Sequence, residues 1–153
     1  MSSPLAIDLG TTHTRISRRE HVLIQRFPSA IAINSRTGDP IAIGKEALPM
    51  LGRTPAGVRA CHPLQDSVVA DYDLAVVMLH TFFKQAQAIG FLQRPTVVAS
   101  IPHGITEVER RALEDVMRDA GARNVHLIPH AIAAAYGAGL NIASPRGSMI
   151  VDI

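Results

Sequence analysis

Residues 96–128, TVVASIPHGITEVERRALEDVMRDAGARNVHLI, decide the fold class of this chain. They open on a nearly continuous apolar run, Thr96 to Ile101, which is typical of a strand covered on both faces. A capping box follows, in which Thr106 and Glu109 can satisfy each other's backbone amides, and it predicts the start of a helix. A second apolar run, Val125 to Ile128, predicts a second strand. Strand, helix and strand in this order predict a parallel pair with a right-handed crossover, and hence an α/β fold.

Helical periodicity marks the neighbouring elements. Gly121 should end the capped helix. We expect its buried face to consist of Val108, Ala112, Val116 and Ala120, flanked by Leu113 and Met117. On its solvent side, Glu107 should pair with Arg111, and Glu114 with Arg118. An earlier helix should begin at a cap on Asp71, end near Gly90, and bury Leu74, Val77, Met78, Thr81, Phe82 and Gln85. A small, Ala-rich helix is expected from His130 to Tyr136, and a last strand from Ser148 to Ile153.

The N-terminal part predicts a small antiparallel meander, with strands near Leu5–Asp8, Thr14–Ser17 and His21–Gln25. Its first turn, Asp8-Leu9-Gly10-Thr11-Thr12, places a carboxylate at a strand end before a glycine and two hydroxyl residues. Such a turn can aim amides and hydroxyls at phosphate oxygens, while the carboxylate holds a hydrated magnesium ion. Ordinary hairpin chemistry explains the same pattern, and both interpretations stay open at this point. His13 beside the turn either touches an anion or fills a variable hairpin position.

Composition narrows the class of protein. The chain has 153 residues, of which 47% are hydrophobic and 18% charged, with a formal net charge of +2. These values indicate a folded globular protein, and the scattered basic residues argue against a nucleic-acid surface. Cys61 is the single cysteine, so an internal disulfide is excluded. The N-terminus lacks the pattern of a secretory signal, and we expect a cytoplasmic protein.

Residues 28–57 alternate Pro and Gly with short apolar runs such as Ile31-Ala32-Ile33 and Ile41-Ala42-Ile43. This pattern predicts a small lobe inserted into the main domain at about residues 30–70, with a core at 1–30 and 71–150. The chain ends within the predicted strand that begins at Ser148. We therefore expect a truncated or split protein.

Several segments, taken in order, resemble one family. The opening Ala6 to Thr12 looks like the first phosphate loop of the actin, sugar-kinase and heat-shock-chaperone ATPases. Four further segments are similar to the MreB-type bacterial actin-like proteins in particular: Gly44–Ala47 with Met50–Pro55, Pro63–Asp71, Ile105–Ala112, and Ala120–Arg123. The resemblance continues through Ala133–Leu140 to Gly147–Ile153 and covers the whole chain.

The resemblance implies domain I of the actin-like ATPase fold over residues 1–153, with a mixed sheet of the five-stranded type, flanking helices and the inserted lobe. The second domain would lie beyond residue 153. Family members bind ATP and Mg²⁺ in a cleft between two halves. The matching residues here are Asp8, Gly10, Thr11, Thr12 and Asp152, with Asp8 holding Mg²⁺ through water. Because the second phosphate loop is missing, we expect ATP and Mg²⁺ binding by the isolated chain to be weak or absent.

One departure from the family pattern concerns hydrolysis. After the strand that ends at Ile128, the family has two glutamates, and one of them positions the attacking water. This chain has Pro129 and His130 at those two positions. His130 is either a replacement base, since an unperturbed imidazole titrates near 6.5, or the polar start of a helix. We expect slow or no ATP hydrolysis and assign no catalytic residue.

The resemblance also suggests a membrane contact, because MreB proteins can bind membrane through an apolar loop at the position of Phe91 and Leu92. Here that pair either anchors weakly to a membrane or packs under the end of the preceding helix. We therefore expect a cytoplasmic protein, which would lie at the inner face of the cell membrane if this contact is made.

Three functions remain open. The first is an ATP-binding cytoskeletal protein that assembles into filaments and regulates cell shape. The second is a non-enzymatic module that binds and modulates full-length MreB filaments. A chaperone-type or sugar-kinase half is a third, against which the Gly52–Pro55 and Thr106–Ala112 segments count. Apolar surface that the missing half would cover predicts a dimer or a hetero-complex, with itself or a full-length filament as partner.

Overall fold

The computed structural model describes residues 4–18, 21–89 and 94–151. In chain order its strands are β1 (Leu5–Leu9), β2 (His13–Arg18), β3 (His21–Pro28), β4 (Ile31–Asn34), β5 (Pro40–Ile43), β6 (Val58–Cys61), β7 (Leu64–Gln65), β8 (Val68–Val69), β9 (Thr96–Ile101) and β10 (Asn124–Pro129). Its helices are α1 (Tyr72–Gln85), α2 (Glu107–Asp119) and α3 (His130–Gly137), and Leu48–Met50 forms a short 3-10 turn.

The largest element is a mixed sheet of five strands in the order β10-β9-β1-β2-β3. The pairs β10–β9 and β9–β1 are parallel, while β1–β2 and β2–β3 are antiparallel. The predicted meander and the predicted parallel pair therefore meet at β1, which is the central strand. This arrangement brings the turn after β1 to the same edge of the sheet as the carboxyl ends of β9 and β10.

One face of this sheet is packed against α1 and α2. Inward-pointing residues of β1 and β9 join buried residues of both helices in one core: Leu5, Ile7, Leu9, Val97, Ala99, Met78, Leu79, Phe82, Phe83, Leu113, Val116 and Met117. The Phe27 and Phe82 rings stack at a centroid distance of 4.7 Å and tie β3 to α1. The other face, which carries Ala6 and Val98, is only partly covered by the described residues, so the prediction that β9 is covered on both faces holds for one face.

The predicted helix caps are confirmed. The Asp71 carboxylate accepts from the Leu74 amide at 3.2 Å. At the start of α2, Thr106 and Glu109 form the predicted capping box. Gly121, at φ +119°, follows the end of α2. The amides of Gly121 and Ala122 donate to the last turn of the helix, at the Arg118 and Met117 carbonyls. This is the Schellman pattern, which satisfies carbonyl groups that the helix leaves open.

The buried stripes differ in detail from the prediction. Val108 is 80% exposed, because α2 packs through Leu113, Val116, Met117 and Ala120 and its first turn stands clear of the sheet. Glu107 pairs with Arg110 rather than with Arg111, whereas the predicted pair of Glu114 and Arg118 is present at 3.2 Å.

Helix α1 also departs from its prediction at its buried face and at its end. Gln85 is exposed, and the buried face includes Ala75, Leu79 and Phe83 instead. The helix ends at Gln85, before Gly90, because Gln87 adopts φ +53° and closes a Schellman turn in the absence of a glycine.

Residues 31–61 form a separate antiparallel sheet of three strands in the order β5-β4-β6, consistent with the predicted apolar runs. Ala32 of β4 belongs to a small cluster of alanines within this sheet. Ile31 and Ile33 point the other way and pack against Leu74 of α1. Because side chains alternate between the two faces of β4, one face of this strand packs within its own sheet and the other packs against α1. The domain boundaries proposed above stay a prediction.

The predicted strand from Ser148 is wrong for residues 148–151, which are irregular. Met149 is 84% exposed and Val151 is 65% exposed. A strand needs a neighbour to satisfy its backbone groups, and these residues pair with none of the strands that the structure describes. Asp152 and Ile153 lie outside the described residues.

Candidate phosphate site

The turn between β1 and β2 has a compact, glycine-dependent shape. The Gly10 amide donates to the His13 carbonyl oxygen at 3.1 Å. A Cβ atom on residue 10 would lie 2.7 Å from that same oxygen, which is closer than real Cβ contacts come. Thr11 is half-buried and Thr12 is exposed. Within the described part of the chain, neither threonine amide donates to another backbone group, so both are available to an anion.

Ser29, at the end of β3, holds this turn from beneath. Its amide donates to the Thr12 carbonyl at 2.9 Å, and its hydroxyl donates to the Gly10 carbonyl at 2.8 Å. The Thr14 and Ser29 hydroxyl oxygens lie 2.9 Å apart, and both residues are fully buried. The turn carbonyls are therefore bound inward. Sequence analysis missed Ser29, since a serine after a proline indicates only a turn.

The predicted site residue Asp8 lies near the end of β1, and both of its carboxylate oxygens accept hydrogen bonds. Its Oδ2 accepts from Arg15 Nη1 at 2.7 Å. Its Oδ1 lies 2.9 Å from His130 Nε2 and accepts from Ser100 Oγ at 3.2 Å. Partial burial raises the pKa of Asp8, but the hydrogen bonds from His130, Arg15 and Ser100 outweigh it, and the net pKa is lowered. Asp8 is thus an ionised acceptor, so His130 Nε2 carries the proton that it donates.

His130 reaches Asp8 from the first position of α3, with Pro129 as the residue that caps the helix. The two residues are 122 positions apart in the sequence, and the parallel arrangement of β1, β9 and β10 brings them together. The prediction that His130 is the polar start of a helix is therefore confirmed, and His130 also contacts Asp8 of the candidate site. No periodicity or local motif could have predicted this pairing, because it depends on the order of the strands.

Cationic side chains dominate the rest of this edge. Arg26 of β3 lies directly opposite Arg15 of β2, and Arg26 Nη2 is 3.2 Å from His13 Nδ1. The pKa of His13 is lowered by desolvation and then by the nearby charges of Arg26, Arg15 and His62. The turn amides and the positive side chains therefore favour an anion at this place.

The role predicted for Asp8 as a Mg²⁺ ligand through water stays a prediction, and the geometry of the described residues counts against it. Both of its oxygens already accept hydrogen bonds, and two of the three donors are an arginine and a histidine. A cation in contact with the hydration shell of Asp8 would lie close to these groups and be repelled by Arg15. Among the described residues, no group of three or more His, Cys, Asp or Glu side chains could hold a metal ion.

Three other predicted residues lie outside the described part of the chain: Asp152, Phe91 and Leu92. Within the described residues, the helices are too short or too polar to cross a membrane.

An apolar groove lies on the open face of the five-stranded sheet, next to Asp8 and its hydrogen-bond partners. Its volume is about 230 Å³, and Ala6, Ile24, Val98, Ile128 and Ala133 contribute to its lining. Ile24 is 61% exposed. Exposed apolar side chains in a concave surface are typical of a binding face.

Comparison with known proteins agrees with this architecture. A model of the MreB/Mbl protein family matches residues 2–153. The chain is 43% identical over 157 residues to the cell shape-determining protein MreB of Escherichia coli strain K12, an alignment that covers 99% of this chain and 45% of that protein. It is 35% identical over 149 residues to the cell shape-determining protein Mbl of Bacillus subtilis strain 168, an alignment that covers 97% of this chain and 45% of that protein. The chain thus spans less than half the length of these relatives.

Solved structures confirm the predicted fold class. A crystal structure of MreB5 of Spiroplasma citri bound to ADP superposes with a TM-score of 0.85 at 35% identity, over 97% of this chain and 44% of that one. A double helical filament of MamK gives a TM-score of 0.74 at 21% identity, over 89% of this chain and 44% of that one. This likeness supports the fold alone.

Proposed function

Because this chain belongs to the MreB/Mbl family, whose model matches residues 2–153, we propose that it is a cytoskeletal nucleotide-binding protein. Its role would lie in filament assembly and in the regulation of cell shape. Relatives carry the name cell shape-determining protein, and similar structures from Spiroplasma citri hold ADP and AMPPNP. ATP is accordingly the proposed ligand.

The observation that carries this proposal is the turn at Gly10, Thr11 and Thr12. Neither threonine amide donates to a backbone group of the described residues, and Ser29 fixes the backbone in that shape. A prearranged set of donors binds phosphate oxygens without first having to be ordered. Asp8 borders this set, and Asp152, which matches the acidic residue that opens the second phosphate loop in the family, would complete it.

Slow or absent ATP hydrolysis is part of the proposal. The resemblance puts a water-positioning glutamate where this chain has Pro129 and His130. His130 uses Nε2 to donate to Asp8, so this nitrogen is not free to accept a proton from water. Phosphate release at a normal family rate from a complete, reconstituted assembly would contradict this part.

The test is phosphate binding by a loop variant and its matched control. ATP titrated into the purified chain, and into the chain mixed with a full-length MreB from the same cell, should show binding in at least one case. Gly10→Ala should weaken it, because the added Cβ displaces the His13 carbonyl and reshapes the turn. Gly137→Ala, which adds a Cβ into open space, should leave it unchanged. Equal binding by both variants would contradict a phosphate role for this turn.

The apolar groove favours a second candidate function, a non-enzymatic module that binds and modulates full-length MreB filaments. A filament subunit that covers Ala6, Ile24 and Val98 would remove an exposed apolar surface from water. This function predicts a heat of association with full-length MreB in the absence of nucleotide, reduced by Ile24→Asp. Association that requires ATP and ignores Ile24→Asp would favour the first function.

A weak membrane contact through Phe91 and Leu92 stays a proposal, together with a location in the cytoplasm at the inner face of the cell membrane. Liposome flotation of assembled protein should fall when both residues are changed to serine, because each removes apolar side-chain area from the interface. Unchanged flotation would remove the membrane contact.

A further inference from the structure

Five side chains lie side by side in one row across the entire sheet. The strand registers pair Ile128 with Ser100, Ser100 with Asp8, Asp8 with Arg15, and Arg15 with Arg26. The residues in such a row point to the same face of the sheet. On the open face, this row therefore lies next to the turn at Gly10, Thr11 and Thr12. It contains one carboxylate and two guanidinium groups.

The positive charge of this row is only partly balanced. Asp8 is shared among Arg15, His130 and Ser100, while the described partner of the Arg26 side chain is a histidine ring. Like charges placed directly opposite each other on neighbouring strands destabilise a sheet, and Arg15 and Arg26 occupy such positions. An anion between them would relieve this repulsion.

Arg15 is also placed to bind an anion without giving up Asp8. Only its Nη1 donates to the carboxylate, which leaves further N–H donors on the same planar group. Its side chain is 49% exposed, so these donors are accessible. A guanidinium offers phosphate two parallel hydrogen bonds and keeps its charge at all ordinary pH values.

We infer that Arg15, supported by Arg26 and His13, is the resident cation of the phosphate site and stands where a Mg²⁺ ion would otherwise be held. The inference rests on the proposed nucleotide-binding function and adds the chemistry of the ligand: a di- or triphosphate that binds with little dependence on Mg²⁺. The same arrangement explains why both oxygens of Asp8 are occupied, since the carboxylate orients Arg15 and takes no part in metal binding.

The experiment compares two phosphate probes in two conditions. ADP and inorganic tripolyphosphate are titrated into the intact chain and followed by ³¹P NMR line shifts, which detect weak binding, in excess Mg²⁺ and in EDTA. The wild-type chain should bind both probes with similar affinity in the two conditions. Arg15→Gln should lower the affinity in EDTA by about tenfold, as expected for the loss of a charge-assisted pair of hydrogen bonds.

Arg118→Gln is the matched control. Arg118 is 48% exposed and pairs with Glu114 and Asp115, but it lies on α2, which packs on the other face of the sheet. Its removal should leave both titrations unchanged. Asp8→Asn is a second informative variant, because it removes the negative charge that a metal ion would need and keeps a side-chain oxygen that can accept from Arg15. It should still bind both probes in EDTA. Thermal unfolding of each variant by circular dichroism checks that it is folded.

The outcomes separate the inference from the proposed function. Wild-type binding that appears only with Mg²⁺ and is lost in Asp8→Asn overturns the inference and leaves nucleotide binding intact. Arg15→Gln that binds like the wild type in EDTA also overturns it. No binding of either probe by the folded wild-type chain in either condition, alone or with full-length MreB, overturns the inference together with the proposed function.

Discussion

The two faces of the five-stranded sheet carry opposite chemistry on the same strands. Along β1, Leu5, Ile7 and Leu9 are buried beneath the helices, while Ala6 and Asp8 point to the open face. Because side chains alternate across a strand, five residues supply both the core and the candidate site. The comparison shows that the rigid packing of one face fixes the positions of the charged residues on the other.

The largest expected effect compares the same substitution on the two faces. Ile7 is 3% exposed and lies in the core, while Ile24 is 61% exposed and borders the groove. Ile7→Ala should destabilise the chain by about 2–5 kcal/mol, through lost burial and the cavity left behind. Ile24→Ala should change stability by about 0.5 kcal/mol or less. Urea unfolding of both variants measures the difference.

A large loss of stability in Ile24→Ala would mean that the open face is covered in solution. Dependence of that loss on protein concentration would identify a second copy as the cover, in agreement with the predicted dimer. Without concentration dependence, the difference between the two faces would itself be in doubt.

The next effect concerns the turn that links the two faces. Gly10→Ala should cost about 1–3 kcal/mol, because the new Cβ meets a backbone oxygen that is itself hydrogen-bonded. Gly137→Ala, in the last turn of α3, should be neutral or stabilise by about 0.5–1 kcal/mol, because alanine favours a helix more than glycine does. Thermal melts of the two variants decide this, and an equal effect of both would refute a steric requirement at Gly10.

A smaller effect tests the buried hydroxyl pair beneath the turn. Ser29→Ala leaves the buried Thr14 hydroxyl without its partner and should cost about 1–2 kcal/mol, whereas Thr14→Val should cost less, because the Ser29 hydroxyl still donates to the Gly10 carbonyl. The double variant should cost less than the sum of the two, because neither hydroxyl is then left unpaired. A double-mutant cycle from urea unfolding measures the coupling. Strict additivity would show that the two hydroxyls act independently of each other.

Local signals account for what was predicted correctly. The capping box at Thr106, the cap at Asp71 and the apolar run of β9 each depend on a few neighbouring residues, and each is present. The turn at Gly10 was likewise predicted from its own residues. Family resemblance added the fold, which the structural comparisons confirm.

What failed or was missed depends on contacts between distant residues. The exposure of Val108 follows from where α2 meets the sheet, and helical periodicity does not contain that information. The contacts of Ser29 with Gly10 and of His130 with Asp8 follow from the order of the strands. The strand predicted at Ser148 lacked a partner among the described residues, which an apolar pattern cannot reveal.

The smallest expected effect is the pH dependence that Asp8 adds to the open face. Its pKa is lowered below the ordinary value of 3.8, so its hydrogen bonds stabilise the chain fully above that pH and are lost as the pH falls through its folded pKa. Since the group is partly exposed, this contribution should be less than about 1 kcal/mol at neutral pH. Asp8→Asn should therefore be slightly less stable than the wild type at pH 7, with the difference shrinking in acid. Arg15→Gln should remove part of the same pH dependence, because Arg15 donates to this carboxylate. Urea unfolding across this pH range decides the matter: a difference between wild type and Asp8→Asn that grows in acid would mean that burial, and not the donors, controls this carboxyl group.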